Sequence, residues 1–379
     1  MSEDETAVRK RKSDEQVEED KSSVSCHRNS RLTTYTTMLL GLLIAVITAP
    51  LIGCNQAPVK QQYGIASPTL SPDNNLIIFA LGEVPGISDI AIYDIAAKKL
   101  LRINPTGKDC LAPVYSPDGR QIAFASGKGD DKNIYIMNAD GTGLRQLTHI
   151  INNNPLTAPK EPVVKINGQP TFSRDGKRLV FGRSGVRRAR SMGGTMVSHW
   201  DFYEVDIASG VERKLTDYRY YMTTRAYYLP SGDGIVYSGS GPKGAEIPEG
   251  MYTRNGNEIM LKYERSEHAR RAFEHPTYSA DPTVALDGSI AFVSRTNLYD
   301  NTKGSFTYDI FLHKDGQTRR VTKERFAIIA SPFISYDGSR IVFLASKTDR
   351  EGPAIWLAKA DGSDLLYIGR PWNDGTAKY

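Results

Sequence analysis

The chain has 379 residues, of which 40% are hydrophobic and 24% charged, and its formal net charge is +5. That length fits one large domain or two ordinary ones. The charge is too mild for a nucleic-acid footprint, so no nucleic acid is expected as a partner. Tyr outnumbers Trp by 20 to 3, and Tyr suits half-buried strands, which points to β structure.

Residues 1–37 are charged, rich in Ser and Thr, and nearly free of large aliphatics, so they are expected to be disordered. Residues 38–53, "MLLGLLIAVITAPLIG", form a hydrophobic signal segment. Its apolar core ends at Pro50, short for a membrane span but suited to a secretory signal. Arg28 and Arg31 precede it on the side that stays cytoplasmic. The segment closes on Leu51-Ile52-Gly53-Cys54, which resembles a bacterial lipobox. There a small residue lets the peptidase approach, and the thiol carries the lipid. Cys54 is therefore the expected lipidation site, and two or three acyl chains would anchor the protein stably. An uncleaved anchor and an ordinary cleaved signal peptide are the alternatives. Residues 54–66 read as the lipidated Cys and a polar tether. Cys26, Cys54 and Cys110 show no metal-ligand spacing, and no disulfide is expected.

From Ser67 to Gly369 one grammar repeats. Turns occur at "LSPDNN", "YSPDGR", "FSRDGK", "LPSGDG", "ALDGS" and "SYDGSR", and their aspartates, Asp73, Asp118, Asp175, Asp233, Asp287 and Asp337, are 45 to 58 residues apart. A period near fifty signals a repeat architecture. Each unit has a short strand, an Asp-Gly turn, a period-2 strand such as "QIAFAS", a third strand, and a fourth that often ends in Leu/Val-Thr. Four strands joined by hairpins make one antiparallel blade. In five units the first strand carries X-Pro: Ser67-Pro68, Ala112-Pro113, Gln169-Pro170, Asp281-Pro282 and Ser331-Pro332, with Arg225-Ala226 in the fourth. Pro belongs at a sheet edge, and the innermost strand of a propeller blade is one. The predicted fold is all-β, a six-bladed β-propeller over 67–369 with a C-terminal tail over 370–379.

The Ser-Pro-Asp-Gly turns and the "Asp-Gly…Leu-Thr" ends resemble the TolB family, propellers with WD40-like PD40 repeats; "SPDGRQIAFASGKGDDKNIYIMNADGTGLRQLT" carries the pattern almost throughout. The resemblance implies a non-catalytic protein of the bacterial envelope, facing the periplasm, with an envelope protein such as the peptidoglycan-associated lipoprotein, or a glycan, as partner. TolB proteins carry an α/β domain before the propeller, and no counterpart is expected in this sequence. The lipid on Cys54 would hold the propeller to a membrane, with the outer membrane favoured.

The loops opposite the Asp-Gly turns are the candidate binding face, because loops on a rigid scaffold carry function. Arg187, Arg188 and Arg190 fall in a long glycine-bearing loop, where guanidinium groups can grip carboxylates or phosphates. Trp200, Tyr220, Tyr221 and Arg225 follow, and these residue types are enriched in contact hot spots. A solvated loop and rings packed between blades are the plainer readings. No G-x-S-x-G elbow and no phosphate loop occur, so no catalytic residue and no cofactor is expected. The enzymatic alternative is a metal-dependent carbohydrate-active enzyme that resembles oligogalacturonate lyases, with His149, His199, His275 and Gln169 as its ligands.

Overall fold

The computed structural model describes residues 62–84, 86–128, 131–150, 164–188, 195–242, 258–275, 278–296, 306–348 and 352–371. The segments expected to be disordered and signal, Cys54 and the tether through residue 61 lie outside these residues, as does the tail beyond 371; residues 62–66, expected as tether, instead open the first strand.

The described strands form six antiparallel blades. Blade one is β1 (Gln62–Leu70), β2 (Leu76–Val84), β3 (Ser88–Asp94) and β4 (Lys99–Ile103). Blade two is β5 (Asp109–Tyr115), β6 (Gln121–Lys128), β7 (Asp131–Asn138) and β8 (Arg145–Gln146). Blade three is β9 (Val164–Phe172), β10 (Arg178–Arg188), β11 (Thr195–Asp206) and β12 (Glu212–Lys214). In blade four the inner position is split between β13 (Tyr220–Thr223) and β14 (Tyr227–Tyr228), followed by β15 (Gly234–Pro242), β16 (Glu258–Tyr263) and β17 (Arg270–Arg271). Blade five is β18 (Ser279–Val284), β19 (Ile290–Arg295), β20 (Tyr308–Lys314) and β21 (Gln317–Arg320). Blade six is β22 (Ile328–Ile334), β23 (Arg340–Ser346), β24 (Ala354–Lys359) and β25 (Leu366–Gly369). The inner strands touch in a closed cycle, β1 to β5, β9, β14, β18, β22 and back to β1. Blades one and six each use four strands of their own, so among the described residues no strand is exchanged at the closure.

The turn after each inner strand explains the Ser-x-Asp-Gly signal. The hydroxyls of Ser71, Ser116, Ser173 and Ser335 donate to Asp73, Asp118, Asp175 and Asp337 at 2.5 to 2.6 Å. Each serine oxygen also accepts the first N–H of the next strand, at 2.9 Å in all four. The aspartate in turn accepts the N–H two residues on, as Arg120 gives Asp118 at 3.1 Å. Gly119 closes the turn at φ +73°, a value without penalty only for glycine. The turns gather on one face: Asn74 Nδ2 donates to Asp337 at 2.9 Å, and the Leu286 N–H donates to the Tyr336 carbonyl at 3.0 Å.

The Leu/Val-Thr ending has an equally local cause. Thr148, Thr216 and Thr322 accept the N–H of Ile134, Phe202 and Ile310 at 2.9, 2.9 and 3.0 Å. Their hydroxyls donate to Asn133, Asp201 and Asp309 at 3.0, 3.0 and 2.6 Å. The same three side chains then accept the N–H two residues past the threonine, from Ile150, Tyr218 and Glu324. The threonine thus ties the fourth strand to the third and aims the chain at the next blade.

The second strands depart from the expected alternation. Ile77, Ile78, Phe79, Ala80 and Leu81 are all buried, as are Ile122 to Ser126. Both faces of each blade are covered by neighbours, so a central strand is apolar on both sides. Each second strand places one fully buried aromatic at its centre: Phe79, Phe124, Phe181, Tyr237, Phe292 and Phe343. Burying such a ring contributes about 2 to 3 kcal/mol.

Candidate functional site

The X-Pro positions line the channel. Ser67, Ala112, Gln169, Asp281 and Ser331 all have positive φ, between 50° and 55°. At each the pairing with the second strand slips, so the inner strand bulges there. A positive φ costs a residue with a side chain about 1–2 kcal/mol. Strain of this kind clusters where a fold aims side chains at a site.

In blade four Arg225 takes the corresponding place, between β13 and β14. Ser67, Gln169, Arg225, Tyr227, Asp281 and Ser331 line one small pocket, with about 20 Å³ of free room. Little more than one water-sized group fits that room. Arg225 is only 8% exposed, and its Nη2 has no hydrogen-bond partner among the described residues. A buried donor left without an acceptor costs about 1–3 kcal/mol. Burial raises the Asp281 carboxyl above its ordinary range, against the pull of the Ser331 N–H and the Arg225 charge. The Ser331 N–H donates to Asp281 Oδ2 at 3.2 Å. The Asp281 N–H donates to the Ser238 hydroxyl, also at 3.2 Å. The channel therefore holds a fixed acid and a fixed base, and the base has an open donor.

The other candidates are scattered. Tyr220 belongs to the core: it is 6% exposed, and its hydroxyl meets that of Tyr237 at 2.7 Å. The cause is Tyr237, which occupies the aromatic slot that the other five blades fill with Phe and so needs a buried partner. Trp200 is half-buried and packs over Gly182, whose Cβ, if present, would lie 3.5 Å from the indole. Arg187 and Arg188 lie on β10 and Tyr221 on β13, whereas Arg190 falls outside the described residues. Arg183, of the same basic run, is engaged by Asn167 at 2.7 Å and Glu212 at 2.6 Å. Its guanidinium lies over the Tyr203 ring, 4.4 Å from the centroid.

The histidines stand apart. His149 is exposed after β8. His199 is half-buried on β11, and burial lowers its pKa. His275 meets Phe292 and Phe311 edge-on, with its Nδ1 3.3 Å from Ser279 and Ser294. Among the described residues no three His, Cys, Asp or Glu side chains gather as a metal site. Gln169 faces the channel pocket.

Asp281, Ser67 and Ser331 are site residues that residue type alone does not single out. Their signal is positional, since each precedes the proline of an inner strand.

Six blades of four strands, each opened by an Asp-turn and facing a polar channel, define a β-propeller of the PD40 kind. The family model described as "TolB beta propeller domain" matches residues 51–240. The chain belongs to that family. A curated relative, "Tol-Pal system protein TolB" of Francisella tularensis subsp. mediasiatica (strain FSC147), is 33% identical over 275 residues, covering 63% of this chain and 60% of that protein. The chain thus spans about 60% of the length of the curated relatives it matches. TolB from Acinetobacter baumannii shares the fold with a TM-score of 0.51 and 18% identity, over 79% of this chain and 61% of that one. A solved oligogalacturonate lyase in complex with manganese has a TM-score of 0.50 and 15% identity, over 80% of this chain and 76% of that one. At such identities the solved structures speak for the fold alone.

Proposed function

We propose that the protein is a non-catalytic binding module of the bacterial cell envelope. Its propeller takes a protein partner, or a glycan, on the face opposite the Asp-turns and at the channel. Arg187, Arg188, Arg190, Trp200, Tyr221 and Arg225 are the proposed contact residues. A lipid on Cys54 holds the module to a membrane, the outer one favoured, so that it faces the periplasm. The observation behind this reading is the 33% identity to proteins named for the Tol-Pal system. By that analogy the partner is an envelope protein, with the peptidoglycan-associated lipoprotein the first to test.

The experiment is capture from crosslinked envelopes with wild type and an Arg187→Ala/Arg188→Ala/Arg190→Ala variant. A partner enriched by wild type and lost with the variant supports the reading, and equal capture counts against it. Labelling with a radioactive fatty acid, retained by wild type and lost in Cys54→Ala, tests the anchor. The lyase alternative has less behind it, because its proposed histidines occupy three separate surroundings.

A further inference from the structure

We propose that the channel pocket at Arg225 is a subsite for a single carboxylate group. Arg225 replaces, in one blade of six, a residue that elsewhere precedes proline. It brings a full positive charge to an inner-strand position where the other blades place Ser, Ala, Gln, Asp and Ser. Its side chain is more than nine-tenths buried, yet Nη2 is left without a partner. Leaving that buried donor unmet costs stability, and an incoming acceptor would offset the cost.

The surroundings select the acceptor. The free room, about 20 Å³, suits one small group. Ser67, Ser331 and Gln169 line the same room, and their hydroxyls and amide are hydrogen-bond donors. Asp281 lines it too, and its charge interacts with that of Arg225. A phosphate or sulfate dianion would meet that carboxylate with two charges of the same sign. A carboxylate brings one, and it suits the forked guanidinium donors. Two sources share this chemistry: a free monocarboxylate, and the acidic side chain or chain end of a bound protein. Only the second source rests on the proposed function.

The test uses the full chain and sodium acetate at constant ionic strength and neutral pH, read by thermal unfolding. Wild type is expected to gain melting temperature saturably with acetate, in the millimolar range, with sodium sulfate giving no saturable rise. Arg225→Met should lose the acetate effect. Asp281→Asn should bind acetate several-fold more tightly. An equal rise in wild type and Arg225→Met, or no saturable rise in wild type, overturns the proposal. Should Arg225→Met fail to fold, Asp281→Asn decides: acetate affinity no tighter than wild type overturns the subsite. Envelope capture with Arg225→Met separates the sources. Lost capture assigns the carboxylate to the partner, and retained capture with lost acetate binding assigns it to a free anion. If wild type captures no partner but still binds acetate, the envelope-binding reading fails and the subsite stands.

Discussion

A single tyrosine shows how one residue dictates its neighbour. Tyr237 fills the buried aromatic slot of blade four, and its phenol must find a partner there. Tyr220 supplies it at 2.7 Å, and burial drives both phenols above their ordinary range. A buried hydroxyl left alone costs about 1–3 kcal/mol, whereas removing both partners of a bond can be nearly neutral. Tyr220→Phe and Tyr237→Phe should each lower stability by about 1–2 kcal/mol, and the double variant by less than the sum. Denaturant titration of the four proteins completes the cycle. Sequence pattern alone could not assign Tyr220, because Tyr serves contact surfaces and cores equally well. Only its register, opposite Trp200 and beside β15, decides.

At the scale of the strand, the recurrent threonine carries the blade end. Thr322 both accepts from the Ile310 N–H and donates to Asp309, a side chain with no exposure. Thr322→Val keeps the shape and removes both bonds, so it should cost about 2–3 kcal/mol, with Thr322→Ser recovering most of it. Thermal unfolding of both variants checks the ranking. The bulge of the inner strand offers the opposite sign. At Ala112, φ is +50°. Glycine would relieve about 1–2 kcal/mol of strain there and add about 0.4–1 kcal/mol of unfolded-chain entropy. Ala112→Gly should therefore leave stability unchanged or raise it slightly, as a denaturant midpoint would record. Turns, blade count and strand order were legible because each is written in local chemistry: Ser-x-Asp-Gly, X-Pro, Leu-Thr. The channel pocket was not, because Ser67, Gln169, Arg225, Asp281 and Ser331 meet only when the ring closes. The clue lay in the one unit where Arg-Ala stands for X-Pro.

For the whole molecule, the turns set the response to acid. Hydrogen bonds from Ser71, Ser116 and Ser173 hold the Asp73, Asp118 and Asp175 carboxyls below their ordinary range. At Asp337 burial pushes upward, but donors from Ser335, Ser339 and Asn74 outweigh it. A carboxyl whose folded pKa is depressed adds stability above its unfolded pKa of 3.8 and loses it as the pH falls through the folded value. Asp201 and Asp281, raised by burial, act with the opposite sign. The lowered turn carboxyls are the more numerous, so the melting temperature should hold near neutrality and fall below about pH 4. A thermal scan from neutral to acid pH checks this. A melting temperature that rises on acidification would contradict it.

The joint between the last blade and the first differs from the other five. There no peptide bond crosses, and among the described residues no strand of one is laid into the other. The Asn74 amide, which donates to Asp337 and Ser339, is a polar tie across it. The wheel is thus a bracelet with one fastening. Opening the ring at that joint would strain no covalent link.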